Sequence, residues 1–244
     1  MVIKDKNCYY KDIEIKFYEC DNKKRSRLET IMAYMADIAG IAYAAKGFSH
    51  TWLWEHNFVF LLSRSSIHVN RMPVSDEVIT IETWEREVKG VLFYRDVIFY
   101  DKEGNSLVEC STAWVLANPH TRSILKPSAY TGEVNPYDGK KADCLPPARL
   151  KIIEELNEVG KRKIVYSDID ANNHVYNAVY AAIACDYILP ELMDRELIDF
   201  RINFKQEAVL GEILTIKTKI LNEKVTVVGE IDGTISFECE FTFK

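Results

Sequence analysis

Several ingredients of common enzyme classes are missing from this chain of 244 residues. No two glycines stand in a Gly-x-Gly arrangement and no Gly-x-Ser-x-Gly segment occurs. The usual phosphate-cradling loop and the serine nucleophile elbow are therefore excluded. The six cysteines, at 8, 20, 110, 144, 185 and 239, form no Cys-x-x-Cys pair. That scatter suits reduced thiols in a cytoplasm better than a disulfide framework. Long apolar runs are absent as well. The longest stretch without a charge, residues 171–185, is too short to span a bilayer, and the first six residues lack an apolar signal core. A positive balance is also missing: the net charge of −6 argues against general nucleic-acid or membrane binding.

What is present is an ordinary globular composition, 48% apolar and 28% charged, long enough for two domains of roughly 120 residues. Between 126 and 149 the apolar period is lost, and Pro127, Pro136, Pro146 and Pro147 supply four of the seven prolines. This marks a linker or long crossover between two halves. Each half repeats one order of parts. In the first, a strand over 13–18 precedes a helix in which Leu28, Ile31, Met32, Met35, Ile38, Ala39, Ala42 and Tyr43 recur at spacings of three and four. Gly47 ends that helix. Strands are expected over 58–62, 66–69, 77–87, 91–100 and 106–116. In the second half the strand falls at 163–166 and the helix at 175–189. Strands over 199–204, 212–221, 225–231 and 234–243 follow, with Asp232-Gly233 as a tight turn. Alternation of Ile235, Phe237, Cys239, Phe241 and Phe243 with polar residues predicts one buried and one wet face. Residues 69–83 align with 204–218 without a gap. The expected fold is α+β: two tandem hotdog domains, each an antiparallel sheet curled around a central helix. The boundaries read 1–128, a linker over 129–149, and 150–244.

The polar run Tyr166-Ser167-Asp168-Ile169-Asp170-Ala171-Asn172-Asn173-His174-Val175-Tyr176-Asn177 opens onto the second helix and holds the only histidine after His120. In an extended loop Asp170, Asn172 and His174 would share one face, a cluster able to position a water against a reacting carbonyl. Helix capping is the plainer role for Asp168, Asp170, Asn172 and Asn173. A calcium loop fails because Asn173 and Val179 stand where glycine and glutamate belong. Zinc lacks a second nearby ligand. No metal and no cofactor is expected.

This run, with Tyr180, resembles the aromatic-Ser-Asp-x-Asp-x-Asn-x-His-Val-x-Asn signature of the acyl-acyl-carrier-protein (acyl-ACP) thioesterases, plant plastid type and bacterial relatives. Phe204-Lys205-Gln206-Glu207 is similar to the segment ending in that family's catalytic glutamate, and Ala113-Trp114-Val115 with Thr121-Arg122 to the end of its first repeat. The resemblance implies catalytic Asp170, Asn172, His174 and Glu207. Many plant members carry cysteine after the glutamate; Ala208 stands here, so a cysteine mechanism has no support. Glu207 is expected to activate water or attack, His174 to orient it and relay protons, Asp170 to fix the imidazole tautomer, and Asn172 to polarise the carbonyl. A buried ion pair of Glu207 with Arg201 or Lys205 is the structural alternative.

The implied partner is an acyl carrier protein with a phosphopantetheine-linked acyl chain. Lys23-Lys24-Arg25-x-Arg27 and Lys161-Arg162-Lys163 are either its landing site or solvated loop charge. The alternatives are a hotdog thioesterase acting on acyl-CoA and a non-catalytic acyl-binding protein; the reading leaves room for a homodimer. Matching Tyr18 to Tyr166 sets Asn22, Lys24 and Ser26 opposite Asp170, Asn172 and His174, and the strand alignment sets Met72 opposite Glu207. The first repeat, with Met35 and Ala39 on its helix, is then expected to line the acyl pocket.

Overall fold

The computed structural model of the protein describes residues 2–5, 7–152 and 155–244, with residues 2–5 described by their backbone. The first half runs β1 (Val2–Asp5), β2 (Cys8–Glu14), α1 (Leu28–Ala45), α2 (His50–Glu55), β3 (Val59–Val69), β4 (Val78–Lys89), β5 (Leu92–Tyr100) and β6 (Ser106–Ala117). The second runs β7 (Asn157–Lys163), α3 (Asn177–Asp186), α4 (Pro190–Met193), β8 (Leu197–Phe204), β9 (Ile213–Leu221), β10 (Lys224–Ile231) and β11 (Thr234–Phe243).

Among the described residues all ladders are antiparallel, and they join into one sheet of 11 strands in the order β1-β2-β4-β5-β6-β3-β8-β11-β10-β9-β7. The order is palindromic about β3 and β8: β2-β4-β5-β6-β3 on one side, β7-β9-β10-β11-β8 on the other. These are the two hotdog repeats, fused edge to edge where Ile67 pairs with Phe200. Their helices bury one shared core. Ile31, Met35 and Ile38 of α1, Ala181 and Ala184 of α3, and Val97, Phe200, Val227 and Phe241 of the sheet belong to a single apolar cluster. Among the described residues no helix is long and apolar enough to cross a membrane.

Local chemistry accounts for the boundaries. Helix α1 ends in a Schellman motif, in which Gly47 N–H donates to Ala44 O at 3.0 Å and Phe48 N–H to Tyr43 O at 3.0 Å. Gly47 there takes φ +90, which glycine adopts without steric cost. Asp232 and Gly233 turn at φ 49 and φ 80 as the β10–β11 hairpin requires. The strands expected over 58–62 and 66–69 are one strand, β3, carried through polar Ser63-Arg64-Ser65 by a bulge between Leu62 and Arg64. The lead-in strands lie earlier than the expected 13–18 and 163–166. They are β2 and β7, followed by 3₁₀ turns at Phe17–Glu19 and Tyr166–Asp168. Strand β11 also departs from strict alternation, since Ser236 and Glu238 are buried. Asn203, the ladder partner of Glu238, accepts from Leu150 N–H at 2.8 Å and donates to Ala148 O at 3.1 Å. The segment between the repeats thus crosses the supposed wet face.

That segment is tied down along its length. Tyr137 N–H donates to Glu85 O at 2.9 Å, Asn135 N–H to Glu85 Oε2 at 2.6 Å, and Ala142 N–H to Asp96 Oδ2 at 3.1 Å. Its backbone amides find acceptors on β4, β5 and β8, so it lies on the sheet as a strap rather than swinging free.

Candidate active site

Two backbone clamps bring the second repeat's polar residues together. Val175 N–H donates to Ala208 O at 2.9 Å, and Ala208 N–H donates to the Tyr180 hydroxyl at 2.9 Å. With both polar groups of Ala208 held, Glu207 and His174, each one residue earlier, are forced into register. His174 Nε2 lies 3.3 Å from Glu207 Oε2 across 33 residues of chain. Arg201 and Lys205, the alternative partners of Glu207, are occupied elsewhere: Arg201 pairs with Glu240 at 2.7 Å and Lys205 with Glu238 at 3.1 Å.

The loop before α3 is a tight turn, not an extended segment. Asp170 N–H donates to His174 O at 2.9 Å, Asn173 N–H donates to Asp170 O at 3.1 Å, and Asn173 sits at φ 64. Asparagine tolerates that left-handed conformation better than most residues. The Asp170 carboxylate accepts from Asn172 N–H at 2.8 Å and from its side-chain amide at 3.3 Å. Its contact with the imidazole is therefore one of charge, not the tautomer-fixing hydrogen bond that the motif suggested. Asp168 is structural throughout. Its carboxylate takes Val165 N–H and the Arg162 guanidinium, each at 2.8 Å, and its carbonyl takes Tyr176 N–H at 2.9 Å.

A fifth residue completes the cluster. Arg122, from the turn after β6 in the first repeat, sets Nη2 3.1 Å from His174 Nε2 and forms an ion pair with Glu207 Oε2. Only its neighbourhood in the Thr121-Arg122 segment hinted at a role; nothing in its spacing ties it to His174. Burial, and after it the Arg122 charge, push the imidazole below its ordinary pKa, while Asp170 pulls the other way.

The cluster lines a cleft of about 830 Å³ together with His50 and Trp54 of α2 and residues 59–63 of β3. Next to it, sharing His50, Val59 and Phe60, is a second cavity of about 420 Å³. Ala36, Ala39 and Gly40 of α1 and Phe93 and Trp114 of the sheet line that cavity. Met35 does not; it is buried in the core, where its sulfur accepts from the Ser65 hydroxyl at 3.7 Å. Charged Glu85 and Arg95 also reach the otherwise mostly apolar wall of that cavity. Lys46 Nζ lies 2.9 Å from Glu85 Oε1 and Arg95 Nη2 lies 3.3 Å from the same atom, with all three side chains at most 8% exposed. A buried charge requires such pairing.

Comparison with known proteins decides the family. Residues 6–129 match the acyl-ACP thioesterase N-terminal domain, and residues 154–240 match the acyl-ACP thioesterase C-terminal domain. The chain belongs to the acyl-ACP thioesterase family. An acyl-[acyl-carrier-protein] hydrolase of Cuphea viscosissima is 23% identical over 233 residues, 90% of this chain and 57% of that protein. A palmitoyl-acyl carrier protein thioesterase of Gossypium hirsutum is 23% identical over 248 residues, 95% of this chain and 60% of that one. The chain thus spans less than two thirds of the length of these curated relatives. In fold it is similar to an acyl-ACP thioesterase of Bacteroides thetaiotaomicron, with a TM-score of 0.90 at 21% identity over 98% of each chain. The six thiols of this family member are free. Burial raises Cys8 to about 11 and Cys144 and Cys185 to about 12, far from a neutral-pH thiolate.

Proposed function

We propose that this protein hydrolyses the thioester of acyl-acyl-carrier-protein to a free acid and the carrier, ending fatty-acid elongation. The observation that carries the reading is the 3.3 Å contact of His174 with Glu207 in a cleft that adjoins an apolar cavity. In this reading the first repeat holds the acyl chain along α1 and the second does the chemistry. The thioester carbonyl lies in the cleft near the turn at 170–175. Glu207 takes a proton from an attacking water, and charge builds on the carbonyl oxygen. The second N–H of the Asn172 side-chain amide, whose first donates to Asp170, steadies this charge. Collapse breaks the carbon–sulfur bond, and the departing thiolate of the phosphopantetheine arm receives the proton by way of His174. No cofactor takes part in these steps.

The carrier is acidic in this proposal and meets a largely self-paired surface. Lys23, Arg25 and Arg162 are already engaged with Asp194, Asp21 and Asp168. The choice of carrier therefore follows from the family match and not from a broad basic surface. We place the reaction in the cytoplasm, where the six free thiols stay reduced.

Hydrolysis of acyl-ACP thioesters of graded chain length, beside acyl-CoA carrying the same acyl groups, tests the proposal. Turnover on the carrier-protein series supports it. Preference for the CoA series replaces the carrier and keeps the chemistry. Tight acyl binding with no hydrolysis of either series overturns it.

A further inference from the structure

Within the cluster around His174, four of the five polar side chains come from the second repeat; Arg122 comes from the first. Its presentation is built. Asn118 Oδ1 accepts from His120 N–H at 2.9 Å and from Thr121 N–H at 3.0 Å. Arg122 N–H then donates to Asn118 O at 2.8 Å, and Asn118 N–H to Ser123 O at 2.9 Å. Arg122 itself sits at φ 60, a left-handed conformation that a long side chain seldom adopts without reason. The turn therefore projects one guanidinium across the seam between repeats, onto Glu207 and onto Nε2 of His174.

Hydrogen-bond chemistry turns this geometry into a statement about protonation. A guanidinium nitrogen only donates, so the 3.1 Å contact is a hydrogen bond only while Nε2 presents a lone pair, whereas Glu207 Oε2, 3.3 Å from the same nitrogen, accepts only from a protonated Nε2. The cation opposes a proton on Nε2 and the carboxylate favours one, and Arg122, paired with Glu207, offsets the pull of that carboxylate. We infer that Arg122 is a positioning residue of the active site, supplied by the first repeat: it anchors the Glu207 carboxylate and, as a cation against the ring, disfavours protonation of His174. The second repeat alone does not complete the site. The inference rests on the hydrolase reading for its catalytic meaning, but not for its electrostatic content.

Three charged groups face the imidazole. They are Arg122 from the turn after β6, Glu207 following β8, and Asp170 on the histidine's own loop. His50 and Lys205 line the same cleft. Of these, Arg122 is the cation in direct contact, so its removal should raise the pH at which His174 protonates.

The test uses the full chain with Arg122→Gln, which removes the charge, and Arg122→Lys, which retains it. His174 is titrated by the NMR signals of its ring, assigned by their loss in His174→Gln, and kcat and KM are followed against pH on an acyl-ACP substrate. In Arg122→Gln the imidazole midpoint should move to higher pH. The acid limb of kcat/KM should follow it, and kcat near neutrality should fall roughly tenfold to a hundredfold, with a smaller change in KM. Arg122→Lys should return midpoint and limb toward the parent values. A residue that only braces the fold would lower activity or melting temperature and leave both midpoints in place. An unmoved His174 midpoint in a folded Arg122→Gln protein overturns the inference. If the parent protein hydrolyses no thioester, the hydrolase reading fails, and the ring titration still decides for or against Arg122.

Discussion

Residues 21–26 and 170–175 trace the same turn with opposite chemistry. In the first repeat Asp21 N–H donates to Arg25 O at 2.7 Å, Lys24 N–H to Asp21 O at 3.0 Å, and Lys23 N–H to Asp21 Oδ1 at 2.8 Å. In the second, Asp170, Asn172, Asn173 and His174 make the same three bonds in the same places. Lys24 at φ 62 answers Asn173 at φ 64, and the bridge Cys20–Ser26 answers Ile169–Val175. The structural partners of Asp170, Asn172 and His174 are therefore Asp21, Lys23 and Arg25, one residue before those expected from matching Tyr18 to Tyr166. Arg25, in the histidine's place, folds back on the acid and grips Asp21 Oδ2 with two nitrogens at 2.9 and 2.7 Å. Opposite it, Ser26 N–H donates to Pro73 O at 2.7 Å, as Val175 does to Ala208, so Met72 stands where Glu207 does. Proline has no N–H, and the position matching Tyr180 is Ile31, fully buried. The frame that carries the turn is shared; the hydroxyl clamp and the His174–Glu207 pair belong to one copy.

The largest break in this contrast is expected from Glu207→Gln, which on the proposed chemistry makes the second turn as inert as the first. Turnover on acyl-ACP should fall roughly 10²–10⁴-fold with an unchanged melting curve. Near-normal turnover would erase the distinction between the copies. Next in size, Ala39→Trp overfills the cavity beside α1. Overpacking of about 1–3 kcal/mol corresponds to a tenfold to hundredfold loss on long acyl chains. Short acyl substrates should be spared, and an unchanged chain-length profile would remove α1 from the acyl pocket.

Tyr180→Phe tests the clamp itself. It leaves the buried Ala208 N–H without its acceptor, costing about 1–3 kcal/mol in urea unfolding, and lets Glu207 drift from His174, so kcat should fall. Ile31→Val, at the matching site of the first repeat, should cost about 0.5–1.5 kcal/mol and leave kcat alone. A subtler effect is expected from pH. His174 is held below the ordinary imidazole pKa of 6.5 by burial and Arg122. The neutral ring therefore persists as pH drops through that value, and the acid limb of kcat/KM should lie below 6.5. A limb above it would contradict the assignment. Smallest of all, Arg25→Ala removes a partly exposed ion pair with Asp21. It should shift stability by no more than about 1 kcal/mol and leave turnover unchanged.

The repeated architecture was legible because burial leaves a period in sequence: α1 shows its three-and-four spacing, and residues 69–83 align with 204–218. The helix and long-strand boundaries moved by a few residues. The signature around His174 was legible because a turn with an acid, two amides and an imidazole is chemically dense. Three things were not. The strap's hydrogen bonds run from irregular backbone to distant strands, and irregular backbone leaves no period. The one-residue offset between the turns hid because Tyr18 and Tyr166 look equivalent, while Phe17 and Tyr166 occupy the equivalent 3₁₀ position. Arg122 hid because it reaches His174 across 52 residues and a repeat boundary, where spacing carries no information. The same holds for the buried ion-pair cluster of Lys46, Glu85 and Arg95, whose members come from a helix end and two strands.

A double-mutant cycle on Glu207 and His174 tests most directly whether the pair works as one unit. Turnover of acyl-ACP is measured for Glu207→Gln, His174→Ala and the two combined. The combined variant should lose little more than either single change, because parts of one unit are not additive. Losses that multiply would show two independent residues, and the 3.3 Å contact would then be proximity without shared chemistry.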